Sequence, residues 1–326
     1  NLKIVVNAHV QKLNFNNKSV ESVSFFKDNI LNYAKANKEV ILSAGAIGSP
    51  HLLQISGIGD SEKIKNQGID VVHELKGVGK NLQDHLMFRP VYKLKNIKSL
   101  NRDIESLYSK FLMGLQYILK QSGPITMGAS QVCAFTKSDP SRATPNLQFH
   151  VQPLSTDILG VTPMHNFEGI TPTVANIRPT SRGEINITSN DSRDNPKIKM
   201  NYLSTEDDRI VAAKSLKLVR KIMLETETFK KYEPEEYRPG VHITDDEELV
   251  QAGSEFTQTI FHPVGTCKMG KDDNAVVNDK LCIHGLKNLR VIDASIMPNI
   301  TSGNTNAPTI MIAEKGAEFI LNNQTQ

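Results

Sequence analysis

Two strand-to-helix transitions, one near each end of the chain, constrain the fold more than any other feature of the sequence. Residues 40–42 are a short apolar run that passes through a Ser-Ala-Gly turn at 43–45 into a helical pattern over 46–54. Residues 289–292 are a second apolar strand pattern, and a helical pattern follows at 308–321. Such a turn lets backbone approach a ligand and directs free N–H groups toward it, although most turns of this kind bind nothing.

The middle of the chain has a different pattern of predicted helices and strands from its ends, which predicts that one domain is inserted into another. From Arg89 onwards, long helical patterns alternate with mixed strand patterns, and nothing repeats. The sequence therefore predicts an α/β fold in which both chain ends build one domain, with an α+β domain of antiparallel strands and helices inserted between them. The predicted boundaries are 1–86, 87–254 and 255–326.

Periodicity and turn residues predict the individual elements. Strands are expected at 2–6, 10–15, 20–26, 38–42, 129–136, 146–153, 173–178 and 183–188. Helices are expected at 103–121, 205–226 and from 244 toward 261, the first with its apolar residues on one face. Ser204 with Asp207 is expected to cap the second of these helices. Thr244 with Glu247 is expected to cap the third.

Composition argues against several classes of function. The formal net charge of +3 over 326 residues is too small to indicate binding to nucleic acid or to a membrane surface. No apolar run reaches the ~18 residues of a membrane span, because Glu314, Lys315 and Glu318 interrupt the longest candidate. The three cysteines lack CxxC spacing and the histidines lack ligand spacing, so neither a disulfide framework nor a metal site is predicted.

Two blocks of residues, in a fixed order, resemble one enzyme family. The N-terminal block is Ser-Ala-Gly-Ala-Ile-Gly-Ser-Pro at 43–50 and Gly-Val-Gly-Lys-Asn-Leu-Gln-Asp-His at 77–85. The C-terminal block is His-Pro-Val-Gly-Thr-Cys at 262–267, Val-Ile-Asp-Ala-Ser at 291–295 and Ser-Gly-Asn-Thr-Asn-Ala-Pro-Thr at 302–309. Together they resemble the C-terminal part of the glucose–methanol–choline (GMC) oxidoreductases. The resemblance implies a Rossmann-like FAD-binding domain made from both chain ends, and an inserted substrate domain.

The resemblance also implies that His262 and Asn304 act on the substrate. His262 matches the histidine that removes the hydroxyl proton of an alcohol while hydride leaves its carbon, and imidazole suits this because its pKa lies near working pH. Asn304 matches a His or Asn that hydrogen-bonds the same oxygen. Taken alone, His262 is also ordinary at a helix end and Asn304 is ordinary in a turn. Asn306 is the alternative to Asn304, and otherwise the expected N-cap of the last helix.

The residues that the resemblance assigns to FAD are Val10, Asn81, Asp293, Ala294, Asn306, Pro308 and Thr309. The last three lie at a helix N-terminus, which would stabilise the negative charge of reduced flavin. Because a carboxylate beside phosphate is unfavourable, Asp293 is expected to orient backbone or to bind sugar hydroxyls. Asp84, His85, Arg178 and Arg182 also match family motifs and are expected to organise loops.

One family element is missing from the sequence, namely the strand–GxGxxG–helix unit that binds the FAD pyrophosphate. Neither the glycines at 57–59 nor those at 77–79 continue in that pattern. The chain is therefore expected to be the C-terminal part of a longer enzyme. Because both chain ends would lack strands to pair with, the isolated chain is expected to bind FAD poorly and to aggregate.

The leading hypothesis is FAD-dependent oxidation of a sugar, choline or another alcohol to a carbonyl, with quinone or oxygen as the open choice of electron acceptor. The final motif resembles choline dehydrogenases and insect glucose dehydrogenases, and the insect group is favoured. One alternative is a relative that cleaves hydroxynitriles and leaves its flavin oxidised. Another is a truncated, non-catalytic binding module. Five N-x-S/T sequons permit secretion, which the insect-like resemblance favours.

Overall fold

The computed structural model describes residues 2–128, 130–158 and 160–322. Its contacts divide the chain into two compact units. We call Asn1–Asp84, Ser181–Tyr202 and Phe261–Gln326 the terminal unit, and His85–Thr180 with Leu203–Ile260 the inserted unit. This grouping differs from the sequence-based boundaries mainly in residues 181–202, which join the terminal segments, and in residues 255–260, which join the inserted ones.

The elements mix strands and helices, which confirms the predicted α/β fold class. In chain order, the strands are β1 (Ala8–Asn16), β2 (Ser19–Lys27), β3 (Ile30–Lys35), β4 (Val40–Leu42), β5 (Ile58–Gly59), β6 (His73–Glu74), β7 (Leu86–Phe88), β8 (Val91–Lys93), β9 (Val132–Thr136), β10 (Leu147–Gln152), β11 (Gly169–Asn176), β12 (Glu184–Asn186), β13 (Lys197–Lys199), β14 (Glu235–Arg238), β15 (Thr257–Thr259) and β16 (Leu289–Val291). The α-helices are α1 (Gly45–Ile55), α2 (Ser61–Lys65), α3 (Leu100–Glu105), α4 (Leu107–Lys120), α5 (Glu206–Arg220), α6 (Glu227–Lys230), α7 (Asp246–Ser254) and α8 (Asn306–Asn322). Short 3-10 turns occupy Pro124–Thr126 and Ala294–Ile296, and a π-helical stretch, Lys221–Glu225, continues α5. Within the described residues, every helix is too short or too polar to cross a lipid bilayer.

The terminal unit contains an antiparallel meander and a parallel strand pair. β1, β2 and β3 are hydrogen-bonded in that order, and the turn between β1 and β2 places Asn17 at a φ of 53°, which asparagine tolerates better than most residues. β4 pairs in parallel with β16, so that Val40 lies opposite Leu289. The strands predicted around 10–15, 20–26, 38–42 and 289–292 are thus confirmed. The strand predicted at 2–6 is wrong, because these residues form no hydrogen-bonded pairing with any described strand.

α8 packs closely against the end of β16 and begins earlier than predicted. A Cβ atom on Gly316 would lie 2.6 Å from Ile292, so the helix and this residue approach more closely than a side chain would allow. The backbone N–H of Thr309 donates to Thr305 at 3.1 Å, which makes Asn306 the first helical residue. Asn306 is therefore not the N-cap, and that prediction is wrong. Pro308 is accommodated because N–H groups of the first turn have no intrahelical acceptor.

The inserted unit is built on an antiparallel sheet with helices on one face. The strand order is β14-β8-β11-β10-β9, with β7 pairing both β11 and β15. The apolar face joins α5 and α7 in a core that includes Phe88, Tyr92, Leu147, Phe149, Val174, Val211, Leu216 and Leu249. The strands predicted at 129–136, 146–153 and 173–178 correspond to β9, β10 and β11, and Ala129 lies outside the described residues. The strand predicted at 183–188 is β12, which belongs to the terminal unit.

The predicted helices of the inserted unit exist, but their ends differ. The helix predicted over 103–121 is interrupted at Ser106, whose extended backbone lets its hydroxyl accept from the N–H of Ser109 at 3.2 Å and cap α4. α5 is capped by Thr205, which accepts from the N–H of Asp208, and not by Ser204. The predicted apolar face of α4 exists but is exposed along its length.

The third predicted helix starts one residue later and ends earlier than expected. The carboxylate of Asp245 accepts from the N–H groups of Glu247 and Glu248 at 2.9 and 3.0 Å, so Asp245 and not Thr244 is the N-cap of α7. A carboxylate is a stronger acceptor than a hydroxyl at a helix N-terminus. The helix ends at Ser254, and β15 follows.

Candidate active site

The terminal unit brings the two predicted catalytic residues together. The Nδ2 atom of Asn304 lies 3.4 Å from Nε2 of His262, although 42 residues separate them in sequence. His262 is buried, at 8% exposure, and Asn304 is exposed. The pair therefore presents an imidazole nitrogen and an amide side by side, the combination needed to accept a proton from a hydroxyl group and to hydrogen-bond its oxygen. The choice of Asn304 over Asn306 stays a prediction.

The backbone of His262 is fixed by a buried carboxylate. Asp84 accepts the backbone N–H of His262 at 2.9 Å and the hydroxyl of Tyr202 at 2.5 Å, and it is 3% exposed. Phe261, just before the histidine, adopts a φ of 62°, and Pro263 follows it. Asp84 thus sets the position of the histidine through the main chain. Sequence reasoning assigned Asp84 to loop organisation but missed Tyr202, which lies in no recognised motif.

Asn81 uses its side chain to hold other protein segments. Its Nδ2 donates to the carbonyls of Gly265 and Pro298, each at 3.1 Å, and its Oδ1 accepts from Nε of Arg182 at 3.1 Å. The guanidinium of Arg182 also donates to Asn299 at 3.2 Å. Because these contacts occupy both donors of the amide, a cofactor contact at Asn81 would use its backbone or the second lone pair of Oδ1. Arg182 has the structural role expected from the sequence.

The Gln83 side chain makes further hydrogen bonds to the backbone at 298–300. Its Nε2 donates to the Pro298 carbonyl at 3.1 Å, and its Oε1 accepts the N–H of Ile300 at 3.1 Å. The main chain of Gln83 also pairs with Val264, two residues after His262. The loop that carries Asp84 is therefore tied both to the histidine segment and to the segment that leads to Asn304. Sequence reasoning missed Gln83 as a positioning residue.

Asp293 joins the two strand-to-helix transitions. Its Oδ2 accepts from the N–H of Gly45 at 2.9 Å and from the hydroxyl of Ser49 at 2.5 Å, and its Oδ1 accepts from the N–H of Ser295 at 2.8 Å. The carboxylate therefore orients backbone, which is the first of the two roles expected for it. It also accepts the Gly45 N–H, one of the groups that a turn of this kind can otherwise direct toward a ligand. The carbonyl of Ala294 accepts from Gly265 at 3.3 Å.

The remaining residues assigned to FAD lie in β1 and at the start of α8. Val10 pairs with Phe25 of β2 and is 37% exposed. Asn306 is exposed, and Thr309 directs its hydroxyl to the Thr305 carbonyl at 2.7 Å. α8 spans 17 residues, so its first turn carries a partial positive charge. Within the described residues, no group of three or more His, Cys, Asp or Glu side chains could hold a metal ion.

A histidine–asparagine pair thus lies beside the N-terminus of a helix, in a unit made from both chain ends. Comparison with known proteins identifies the family to which this arrangement belongs. Two family models, both described as GMC oxidoreductase, match residues 1–87 and 179–313. The chain belongs to the GMC oxidoreductase family.

Individual relatives agree with this assignment. An alcohol dehydrogenase (acceptor) of Pseudomonas putida is 40% identical over 324 residues, which covers 98% of this chain and 58% of that protein. An oxygen-dependent choline dehydrogenase of Pectobacterium atrosepticum is 38% identical over 324 residues, covering 99% of this chain and 57% of that protein. The crystal structure of a formate oxidase superposes with a TM-score of 0.89 at 25% identity, covering 98% of this chain and 60% of that one. The chain thus spans less than two thirds of each relative.

Proposed function

We propose that the protein to which this chain belongs oxidises an alcohol to a carbonyl compound with FAD. The observation that carries the proposal is the 3.4 Å approach of Asn304 to His262 in a chain of the GMC family. The names of the relatives support it, since they include an alcohol dehydrogenase and a choline dehydrogenase. They also support the choline-dehydrogenase-like branch more directly than the insect glucose-dehydrogenase-like branch.

In this proposal His262 transfers the proton, and Asn304 and Asp84 position the reacting groups. Nε2 of His262 accepts the hydroxyl proton, and the Asn304 amide hydrogen-bonds the same oxygen as it changes from alcohol to carbonyl. Asp84 accepts the backbone N–H of His262, so this contact fixes the main chain of the histidine and does not use the imidazole nitrogens. Burial of His262 limits the access of water to the transferred proton.

The residues at the start of α8 suit an electron-rich ring system. The first-turn amides near Asn306 and Ala307 lack intrahelical acceptors and both residues are exposed. Together with the partial positive charge of a 17-residue helix, they would stabilise negative charge on a flavin. Backbone at Asn81, Ala294 and Val10 would contribute further contacts. FAD, when bound, supplies the hydride acceptor of the reaction.

The test compares the chain with an extended protein that includes its native upstream sequence. Visible absorbance is recorded without oxygen before and after addition of choline, sugars and aryl alcohols. We expect the extended protein to carry flavin and one class of alcohol to bleach it, while the isolated chain binds little flavin and aggregates. Reoxidation of the bleached protein by quinone or by oxygen then identifies the electron acceptor.

Each other result favours a different function. Flavin that remains oxidised while a hydroxynitrile is consumed would indicate a lyase. Absence of flavin from the extended protein would contradict the enzyme proposal and favour a binding module. In a His262→Gln variant, flavin content should be unchanged while the rate of bleaching falls, which separates loss of the base from loss of the cofactor site.

A further inference from the structure

The sheet of the inserted unit has two unlike faces. Alternate residues of β10, Leu147 and Phe149, point into the apolar core beneath α5 and α7. The residues between them, Gln148, His150 and Gln152, must point to the opposite face, because successive side chains of a strand alternate. The neighbouring strand contributes Thr171 and Thr173 to that face, since Thr171 pairs with Gln152 and Thr173 with His150. We call this surface the polar sheet face.

Arg89 belongs to the polar sheet face. Phe88 lies opposite Val174, and Tyr92 lies opposite Ile170, so β7 and β8 follow one continuous register along β11. Arg89 therefore falls opposite Thr173. Because the side chains of Phe88 and Tyr92 enter the apolar core, the side chain of Arg89 points the other way. A row of side chains, Arg89–Thr173–His150, thus crosses the sheet, with cross-strand neighbours about 4.5–5.5 Å apart at Cβ.

The guanidinium of Arg89 is buried, and no acceptor among the described residues binds it. The residue is 3% exposed, and Nε, Nη1 and Nη2 are all buried and have no hydrogen-bond partner among the described residues. Nε2 of His150 and Oε1 of Gln152, on the same face, are also buried and find no partner in the part of the chain that the structure describes. An unpaired buried charge is strongly unfavourable, and burial accordingly lowers the pKa of Arg89. A group from outside the described residues must therefore supply the acceptor.

Charge balance restricts what that group can be. Arg89 contributes one positive charge, and burial lowers the pKa of His150, which keeps that imidazole neutral. The other members of the polar sheet face on β10 and β11 are glutamines and threonines. A single guanidinium balances a monoanion, and its planar fork matches the two oxygens of a carboxylate. A phosphate dianion would need a second cation, and the one that β8 contributes to this side of the sheet, Lys93, is already paired with Glu235 at 3.0 Å.

We propose that Arg89 is the anchor of a carboxylate-binding site on the polar sheet face. Gln152 and His150 complete the site by hydrogen-bonding a polar group of the same ligand. The carboxylate comes either from a small molecule or from another part of the full-length protein. The site belongs to the inserted unit and is defined independently of the alcohol oxidation proposed above.

The two sources make opposite predictions for an Arg89→Met variant of the extended protein, which loses the charge and the guanidinium but keeps an unbranched apolar side chain. If the ligand is a small molecule, sodium glycolate should raise the Tm of the unmodified protein in a saturable way, on the order of 2–4 °C. Ethylene glycol, its uncharged counterpart, and sodium chloride at equal ionic strength should not. Arg89→Met should abolish the response without lowering the Tm measured in the absence of glycolate.

If the carboxylate belongs to the protein itself, glycolate should have no effect and Arg89→Met should lower the Tm, because a buried carboxylate loses its partner. Arg89→Lys keeps the positive charge but not the planar guanidinium, so its Tm should lie between those of Arg89→Met and the unmodified protein. Arg102→Met is the matched control, since Arg102 lies in the same unit and its side chain is 62% exposed. No glycolate response together with an Arg89→Met Tm equal to or above the unmodified value would overturn the proposal, because hydration alone would then satisfy Arg89.

Discussion

The contact between Asp84 and the backbone of His262 yields the sharpest prediction about the candidate active site. Asp84 accepts from the His262 N–H at 2.9 Å and from the Tyr202 hydroxyl at 2.5 Å while only 3% exposed. Asp84→Ala leaves both donors without this acceptor. Each hydrogen bond to a charged group contributes about 1.5–3 kcal/mol, so the loss of two should lower the free energy of unfolding by about 3–6 kcal/mol. Asp84→Asn can still accept the His262 N–H and should cost about 1 kcal/mol.

Asp84→Ala should also slow catalysis, because it allows His262 to move from its position. A displacement of about 1 Å at a catalytic group costs on the order of 100-fold in rate, so kcat of Asp84→Ala should fall about 100-fold, with a smaller change in KM. Asp84→Asn should stay within about 10-fold of the unmodified enzyme, because the backbone contact is kept. The assay is anaerobic flavin reduction by stopped flow on the extended protein, with unfolding followed in urea.

A double-mutant cycle with Tyr202→Phe separates the two contacts. Because the Tyr202 hydroxyl donates directly to Asp84, the changes in unfolding free energy caused by Asp84→Ala and by Tyr202→Phe should not add. The coupling energy between them should be about 1 kcal/mol or more. The reasoning is refuted if Asp84→Ala keeps the unmodified kcat, or if alanine and asparagine reduce it equally. Equal reductions would show that the negative charge, and not the backbone contact, is what matters.

Three further predictions concern the terminal unit. His262→Gln should lower the rate of flavin reduction by about 100- to 10,000-fold at unchanged flavin content, as measured by stopped flow. Gly79→Ala should cost about 2–4 kcal/mol in urea unfolding, because φ is +81° and the new Cβ would lie 2.2 Å from a backbone carbonyl oxygen. Gly45→Ala should cost about 1 kcal/mol, because φ is +76° but no described atom would lie within 4 Å of the new Cβ. The hydrogen bond from Lys80 lowers the pKa of Glu184 from 4.5 to about 2, so its stabilisation is present above the unfolded pKa and is lost as pH falls through that window. After allowance for solvent screening this amounts to about 1 kcal/mol, and Glu184→Gln should flatten the acid limb of the Tm–pH curve.

The residues of the candidate site differ in how far the sequence reveals them. His262 and Asn304 each lie in a run of residues with a recognisable order, so their pairing could be expected without knowing the fold. Tyr202 and Gln83 act through hydrogen bonds to segments far away in sequence, and neither residue type nor periodicity marks such contacts. Asp293 is intermediate: its importance was predicted, but its bond to Gly45 could be seen only once both ends of the chain were placed.

Periodicity also locates an apolar face without revealing what covers it. The pattern in α4 is that of a helix packed on a core, yet Leu107 is 83% exposed, Phe111 is 65% exposed and Ile118 is 76% exposed. Arg89 is the converse case, a charged residue that is 3% exposed. Neither observation follows from the sequence pattern, and the physical reason is the same. Hydrophobic pattern reports the transfer preference of a residue, whereas burial depends on which segments arrive beside it.

The placement of residues 181–202 in the terminal unit shows the same principle through a polar residue. Gln54, in α1, follows a helical pattern in which a glutamine is ordinarily taken as exposed, but it is 5% exposed. Its Nε2 donates to the carbonyl of Ile185 at 2.9 Å, and its Oε1 accepts the N–H of Ile187 at 2.9 Å. The amide thereby supplies hydrogen-bond partners to the Ile185 carbonyl and the Ile187 N–H. Each of these backbone groups, if buried without a partner, would cost about 1–3 kcal/mol. The attachment of this segment to α1 thus includes hydrogen bonds from one buried amide, which hydrophobic periodicity does not report.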